Sequence, residues 1–322
     1  MRVRGTTTAS RLARLLHEGH FVVTAELTSS DSPDPAAIWR RAEVLRGVVD
    51  AVNCTDNTSA HVHLSALAAA HLLVEKDLEP IMQMTVRDRN RLGLQADLLG
   101  AAALGVQNLV LMSGDDVTAG DHPEARRIYD IDSIQLLEVA RGMRDRGVYL
   151  SGRRLEAPPS FFIGAVENPF APPLDFRPLR LQKKVAAGAD FVQTQLVFDL
   201  EIFAAFMARV RDLGLLEKVF VIPSVGIPRS ARGARFMQEK VPGLHVPEAI
   251  VKRLERVPPA QQAEDGIRIA VELVAGLRDI AGVAGVHLIG IKWEEGVVRV
   301  AHDAGLLPRP TLSPLATVGG TV

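Results

Sequence analysis

The sequence predicts an α/β chain folded as a single (β/α)8 barrel, the TIM-barrel class. Short runs rich in Val, Ile and Phe alternate with longer Ala- and Leu-rich amphipathic segments, giving about eight βα units. Several of the short runs are apolar nearly throughout, as parallel strands covered on both faces must be. No Gly-rich dinucleotide fingerprint follows the first strand, which places the closed barrel ahead of a doubly wound open sheet. At 322 residues and 47% hydrophobic, the chain is long enough to bury one large core.

Strands are expected at 21–27 (FVVTAEL), 50–54, 80–85 (PIMQMT), 107–112 (QNLVLM), 160–166 (SFFIGAV), 190–195 (DFVQTQ), 218–224 (KVFVIPS) and 285–291 (GVHLIGI). Ser32, Pro33, Asp34 and Pro35 supply capping and first-turn residues for the helix after the first strand. Two connections are long. Residues 114–131 follow a strand end, the side on which barrel enzymes keep their chemistry, whereas 145–160 precede a strand and read as structural. Residues 1–14 read as an N-terminal extension, 15–307 as the barrel, and 308–322, rich in Pro, Gly and Thr, as a flexible or docking tail.

Composition narrows the function. Lys plus Arg (37) nearly cancels Asp plus Glu (38), so the basic field needed for nucleic acid or an anionic membrane is missing and a small-molecule partner is expected. The first twenty residues hold no long apolar run, which argues against a secretory signal or membrane anchor and for the cytoplasm. Cys54, the single cysteine, supplies neither an internal disulfide nor a multi-thiolate metal site. His61 and His63 stand two apart with no third ligand nearby in sequence, so no metal is expected. HExxH, GxSxG, P-loop and GxGxxG motifs are all absent. Redox chemistry would therefore need an organic cofactor.

In a barrel, polar residues at strand ends point into the mouth, and here they are Glu26, Thr55, Asp115, Asn168 and Gln195. Glu26 ends an apolar strand, where desolvation would raise its pKa toward the range of a general acid; a salt bridge across the mouth is the plainer reading. Asp115 follows Gly114, which permits close backbone approach to a ligand, though Asp115 or Asp116 could equally be a loop cap. Gln195 can donate and accept at once, suiting the edge of a polar ring, or it is a satisfied core amide. The run Arg87 to Arg91 and the pair Lys183 and Lys184 could meet phosphates, or be solvated helix faces.

These residues, in this order, resemble the methylenetetrahydrofolate reductase family over roughly residues 15–307. The likeness rests on VTAEL with its terminal acid, on MSGD after the fourth strand, and on LQKKVAAGADFVQTQLVFD. It implies a barrel that binds FAD and reduces 5,10-methylenetetrahydrofolate to 5-methyltetrahydrofolate with electrons from NADH or NADPH. It assigns Glu26 as proton donor, Asp115 as the carboxylate near flavin and pterin, and Gln195 as a pterin and nicotinamide contact. Phe236 stands for the apolar side chain that packs on the pterin. Thr55, Gln83, Ser113, Gly114, Tyr129, Asp130, Asn168, Ala171, Arg180, Lys183 and Lys184 match flavin-lining positions. Ser113, Asn168 and Gln83 depart from the Arg and His common there, Lys292 and Trp293 from an Asn and Arg, and segment 223–236 from the usual substrate loop. A flavin-independent variant with direct hydride transfer is the alternative. So are a folate-binding subunit served by an electron-delivering partner protein, a homo-oligomer, and, outside folate chemistry, a barrel enzyme acting on a sugar phosphate.

Overall fold

The computed structural model describes residues 10–312. Eight parallel strands close in sequence order into one barrel: β1 (Val22–Leu27), β2 (Ala51–Cys54), β3 (Pro80–Thr85), β4 (Asn108–Met112), β5 (Phe162–Glu167), β6 (Phe191–Leu196), β7 (Phe220–Gly226) and β8 (Gly285–Ile289). β1 closes the ring on β8 with Thr24 opposite His287. Helices lie between successive strands, as parallel pairing demands. Each expected strand is present with its ends moved by two residues or fewer.

Because side chains alternate along a strand, the inward-facing positions form layers. The lowest layer is apolar. Val22, Ala51, Ile81, Val110, Phe162, Phe191 and Ile222 form one cluster, with Phe162 and Phe191 stacked at 4.9 Å between ring centroids. Gly164 makes room for that stack, since a Cβ there would lie 2.4 Å from the Phe191 ring. Gly164→Ala is expected to destabilise the fold by about 1–3 kcal/mol through overpacking, read as a lower urea midpoint.

The floor is closed by α1 (Arg11–His17), whose Leu12, Leu15 and Leu16 join the apolar layer while the His17 ring meets Phe220 edge-on at 5.3 Å. Ser10 caps this helix by accepting from the Ala13 N–H. The boundary expected at residue 15 thus falls inside a helix that belongs to the barrel core, and residues 1–9 lie outside the described residues. At the other end, Arg309 donates to the buried Asp50 carboxylate (2.5 Å) and to the Phe21 and Leu306 carbonyls (2.8 and 2.7 Å). The first residues of the expected tail are therefore anchored, and 313–322 lie outside the described residues. Among the described residues, no helix is long and apolar enough to cross a membrane.

Candidate active site

Ascending the strands two residues at a time, the interior turns from apolar to polar. Above the Val22 layer come Thr24, Asn53, Gln193 and His287, and above these Glu26, Gln83 and Gln195. The upper residues border a cavity of about 410 Å³ at the C-terminal ends of the strands, the face on which barrel enzymes carry chemistry. Glu26, Asp115 and Gln195, contributed by β1, the loop after β4, and β6, all line it.

Glu26 is the cavity carboxyl whose titration is moved most clearly upward. Loss of hydration raises its pKa from the ordinary 4.5 to about 7, the negative Asp115 nearby pushes the same way, and a hydrogen bond from Gln83 opposes both. Near neutrality the carboxyl therefore holds a proton that it can give up. Asp115 sits on the rim. Its carboxylate accepts from the Ser59 N–H at 2.9 Å, and its carbonyl accepts from Arg87 at 2.9 Å. The segment receiving it is strained, with Asn57, Ser59 and Ala60 all at positive φ without being glycine. Gly114, at φ +86°, lies against Thr85, where even a Cβ would stand 3.0 Å away.

Gln195 owes its aim to an irregularity. The pairing of β6 with β7 slips between Gln193 and Leu196, and such a bulge redirects a side chain. Its Oε1 accepts from the Leu196 N–H (2.9 Å), which leaves the amide nitrogen facing the cavity. Gln83, Ser113, Gly114, Asn168, Arg180 and Lys184 also line the space.

The remaining expected residues sit elsewhere. Thr55 is buried and accepts two hydrogen bonds from Ser29, at its hydroxyl from the Ser29 N–H and at its carbonyl from the Ser29 hydroxyl. Asp130 pairs with Arg91 at 2.7 Å, which holds its carboxyl down at about 2. The neighbouring Tyr129 is 42% exposed. The Ala171 carbonyl accepts from Arg177, and Lys183 reaches over the Phe176 ring. Phe236 is 60% exposed on the helix Ala231–Lys240, away from the cavity lining.

Sequence reasoning overlooked several cavity residues. Glu167 is buried and forms a 2.7 Å ion pair with Lys184, which also donates to the Val166 carbonyl. Burial lowers the Lys184 pKa, against the pull of Glu167. Thr194, Ser224, Gln193 and His287 line the floor. Strand parity was the available signal for two of these, because Gln193 shares the inward face with Gln195, and His287 stands at the register of Thr24, two before Glu26. Among the described residues, no group of three or more His, Cys, Asp or Glu side chains could hold a metal ion.

Comparison with known proteins identifies the family. The family model for methylenetetrahydrofolate reductase matches residues 11–305. A probable methylenetetrahydrofolate reductase (NADPH) of Caenorhabditis elegans is 25% identical over 247 residues, 75% of this chain and 34% of that protein. Methylenetetrahydrofolate reductase 2 of Schizosaccharomyces pombe is 26% identical over 226 residues, 65% of this chain and 33% of that protein. The chain thus spans about a third of the length of these curated relatives. An uncharacterized protein from Clostridium thermocellum that binds two copies of 5-methyl-5,6,7,8-tetrahydrofolic acid superposes with a TM-score of 0.63 at 15% identity, over 91% of this chain and 98% of that one; the likeness is one of fold.

Proposed function

Since the chain belongs to the methylenetetrahydrofolate reductase family, we propose that its cavity reduces 5,10-methylenetetrahydrofolate to 5-methyltetrahydrofolate with NADH or NADPH. One observation carries the reading: a carboxyl titrating near 7 shares a single cavity with the Asp115 carboxylate and the free amide nitrogen of Gln195. Opening the imidazolidine ring needs a proton on the departing ring nitrogen, and protonated Glu26 supplies it. The carbon–nitrogen bond breaks, the one-carbon unit is left as an iminium cation, and Asp115 stabilises that charge from the rim. A hydride from the dihydronicotinamide then adds to the iminium carbon. The methyl group forms, the nicotinamide leaves oxidised, and solvent returns a proton to Glu26. Gln195 orients a ring by donating from its amide.

FAD, which family membership implies, does not find a complete set of partners among the described residues. Its diphosphate would need cations. Of the expected lysines, Lys184 is 4% exposed and already neutralised by Glu167, and Lys183 turns toward Phe176, which leaves Arg180 as the expected cation that lines the cavity without such a partner. Thr55, Tyr129, Asp130 and Ala171 do not border the cavity. In this reading the hydride passes directly from nicotinamide to folate.

The test is oxidation of NADH or NADPH by the purified chain, dependent on methylenetetrahydrofolate, with and without added FAD. Turnover without FAD is expected. Turnover only with FAD would refute direct transfer, and none under either condition would refute the reductase reading.

A further inference from the structure

Beneath the reacting groups lies a chain of hydrogen bonds whose direction is fixed by what each group can donate. Asn53 and Gln193 face one another across the barrel and exchange two bonds, Asn53 Nδ2 to Gln193 Oε1 at 2.6 Å and Gln193 Nε2 to Asn53 Oδ1 at 3.1 Å. The second N–H of Gln193 points at Thr24 Oγ1, 3.2 Å away. Thr24 Oγ1 also lies 2.9 Å from His287 Nδ1. A hydroxyl that accepts from an amide still has one hydrogen to place. Among its partners here, only His287 Nδ1 can take it. The arrangement that satisfies every one of these groups within the protein has Nδ1 bare and accepting, with the ring proton on Nε2.

His287 is 2% exposed and what exposure it has is to the cavity. Nε2 meets no protein partner among the described residues, and it is not one of the sealed-off atoms left without one. Burial drives the ring's pKa down to about 3, so the ring stays neutral at physiological pH. A neutral ring in the cavity that holds Glu26 leaves the acid's proton in place, whereas a charged imidazolium there would favour the ionised carboxylate.

We propose that His287, locked as its Nε2–H tautomer by Thr24, Gln193 and Asn53, is a ligand-binding residue that donates one hydrogen bond to the carbonyl edge of a planar ring resting on the cavity floor. The inference rests on the reductase reading for the ligand's class. Two rings in that reaction bring such an edge, the oxo group of the pterin and the carboxamide of the nicotinamide.

The experiment has two parts. The ring nitrogens of histidine-labelled protein, read by long-range proton–nitrogen correlation at neutral pH, should show Nε2 protonated and Nδ1 bare. Thr24→Val should mix the two tautomers. In the second part, 5-methyltetrahydrofolate and NADH are titrated separately against the unaltered chain, His287→Phe and His287→Gln. His287→Phe should bind one probe about 10- to 100-fold more weakly, as expected when a buried acceptor loses its donor. His287→Gln, which places an amide N–H near the position of Nε2, should recover most of that loss. A folate-specific effect assigns the bond to the pterin, and an NADH-specific effect assigns it to the nicotinamide. A proton on Nδ1, or equal affinities for both probes in His287→Phe and the unaltered chain, overturns the proposal. If the unaltered chain binds neither probe, the reductase reading falls first and the ligand assigned to His287 goes with it.

Discussion

Glu26→Gln should bind folate and nicotinamide nearly as the unaltered chain does, yet turn over methylenetetrahydrofolate about 10²- to 10⁴-fold more slowly, the usual cost of losing a general acid. The amide keeps the size and the hydrogen bond to Gln83 but cannot protonate a ring nitrogen. In the unaltered chain, kcat should be steady below neutrality and fall as pH rises through about 7, where Glu26 loses its proton. That limb should be missing from the residual activity of the variant. Stability gives a second readout, of opposite benefit. Folding raises the pKa of Glu26, so the folded state holds the proton more tightly than the unfolded chain. Its stabilising contribution is complete below about 4.5, declines as pH rises, and is gone above about 7. The difference amounts to about 3 kcal/mol. Glu26→Gln should therefore gain on the unaltered chain between pH 4.5 and 8 in urea unfolding. Unchanged folate turnover would remove Glu26 from the mechanism.

Arg309→Met is the substitution with the largest expected effect on folding. Asp50 is fully buried and Arg309 is 7% exposed at the side chain, so their pairing takes place away from water. Removing the guanidinium leaves a buried carboxylate with the Val23 N–H at 2.8 Å and, farther off, Arg11 at 3.5 Å. Breaking a buried pair from one side costs about 3–5 kcal/mol, and the surviving partners place this case near the lower figure. Equilibrium urea unfolding measures it. The double variant Asp50→Asn with Arg309→Met should recover a substantial part, because no unpaired charge remains. A loss below about 1 kcal/mol would show that the ion pair is not a structural staple.

The barrel was legible because its determinants are local and periodic. Runs such as FVVTAEL and PIMQMT carry burial on both faces in their own composition, and β1 and β3 form where those runs lie. Glu26, Asp115 and Gln195 were legible because the C-terminal ends of barrel strands converge on one mouth, whereas Thr55, just past β2, is held against Ser29 and does not border it. The loop and helix residues behaved differently. Tyr129, Asp130, Lys183 and Phe236 owe their positions to long-range partners such as Arg91 and to the rotation of a helix, which no strand period dictates. The floor helix α1 was invisible for a related reason. RLARLLH reads as an ordinary amphipathic turn, and nothing within it says that its apolar side will enter the barrel floor. Lys184 illustrates a third case: the lysine was visible, but its neutralisation by Glu167 depends on β5 and the helix Phe176–Ala187 meeting in space.

The helix wedged under the strands makes the interior a cul-de-sac. With Leu12 and Leu15 fully buried against Phe162 and Phe191, nothing passes through to the far side, so every molecule must back out by the doorway it entered. A spent ring lingering over Glu26 blocks the next arrival.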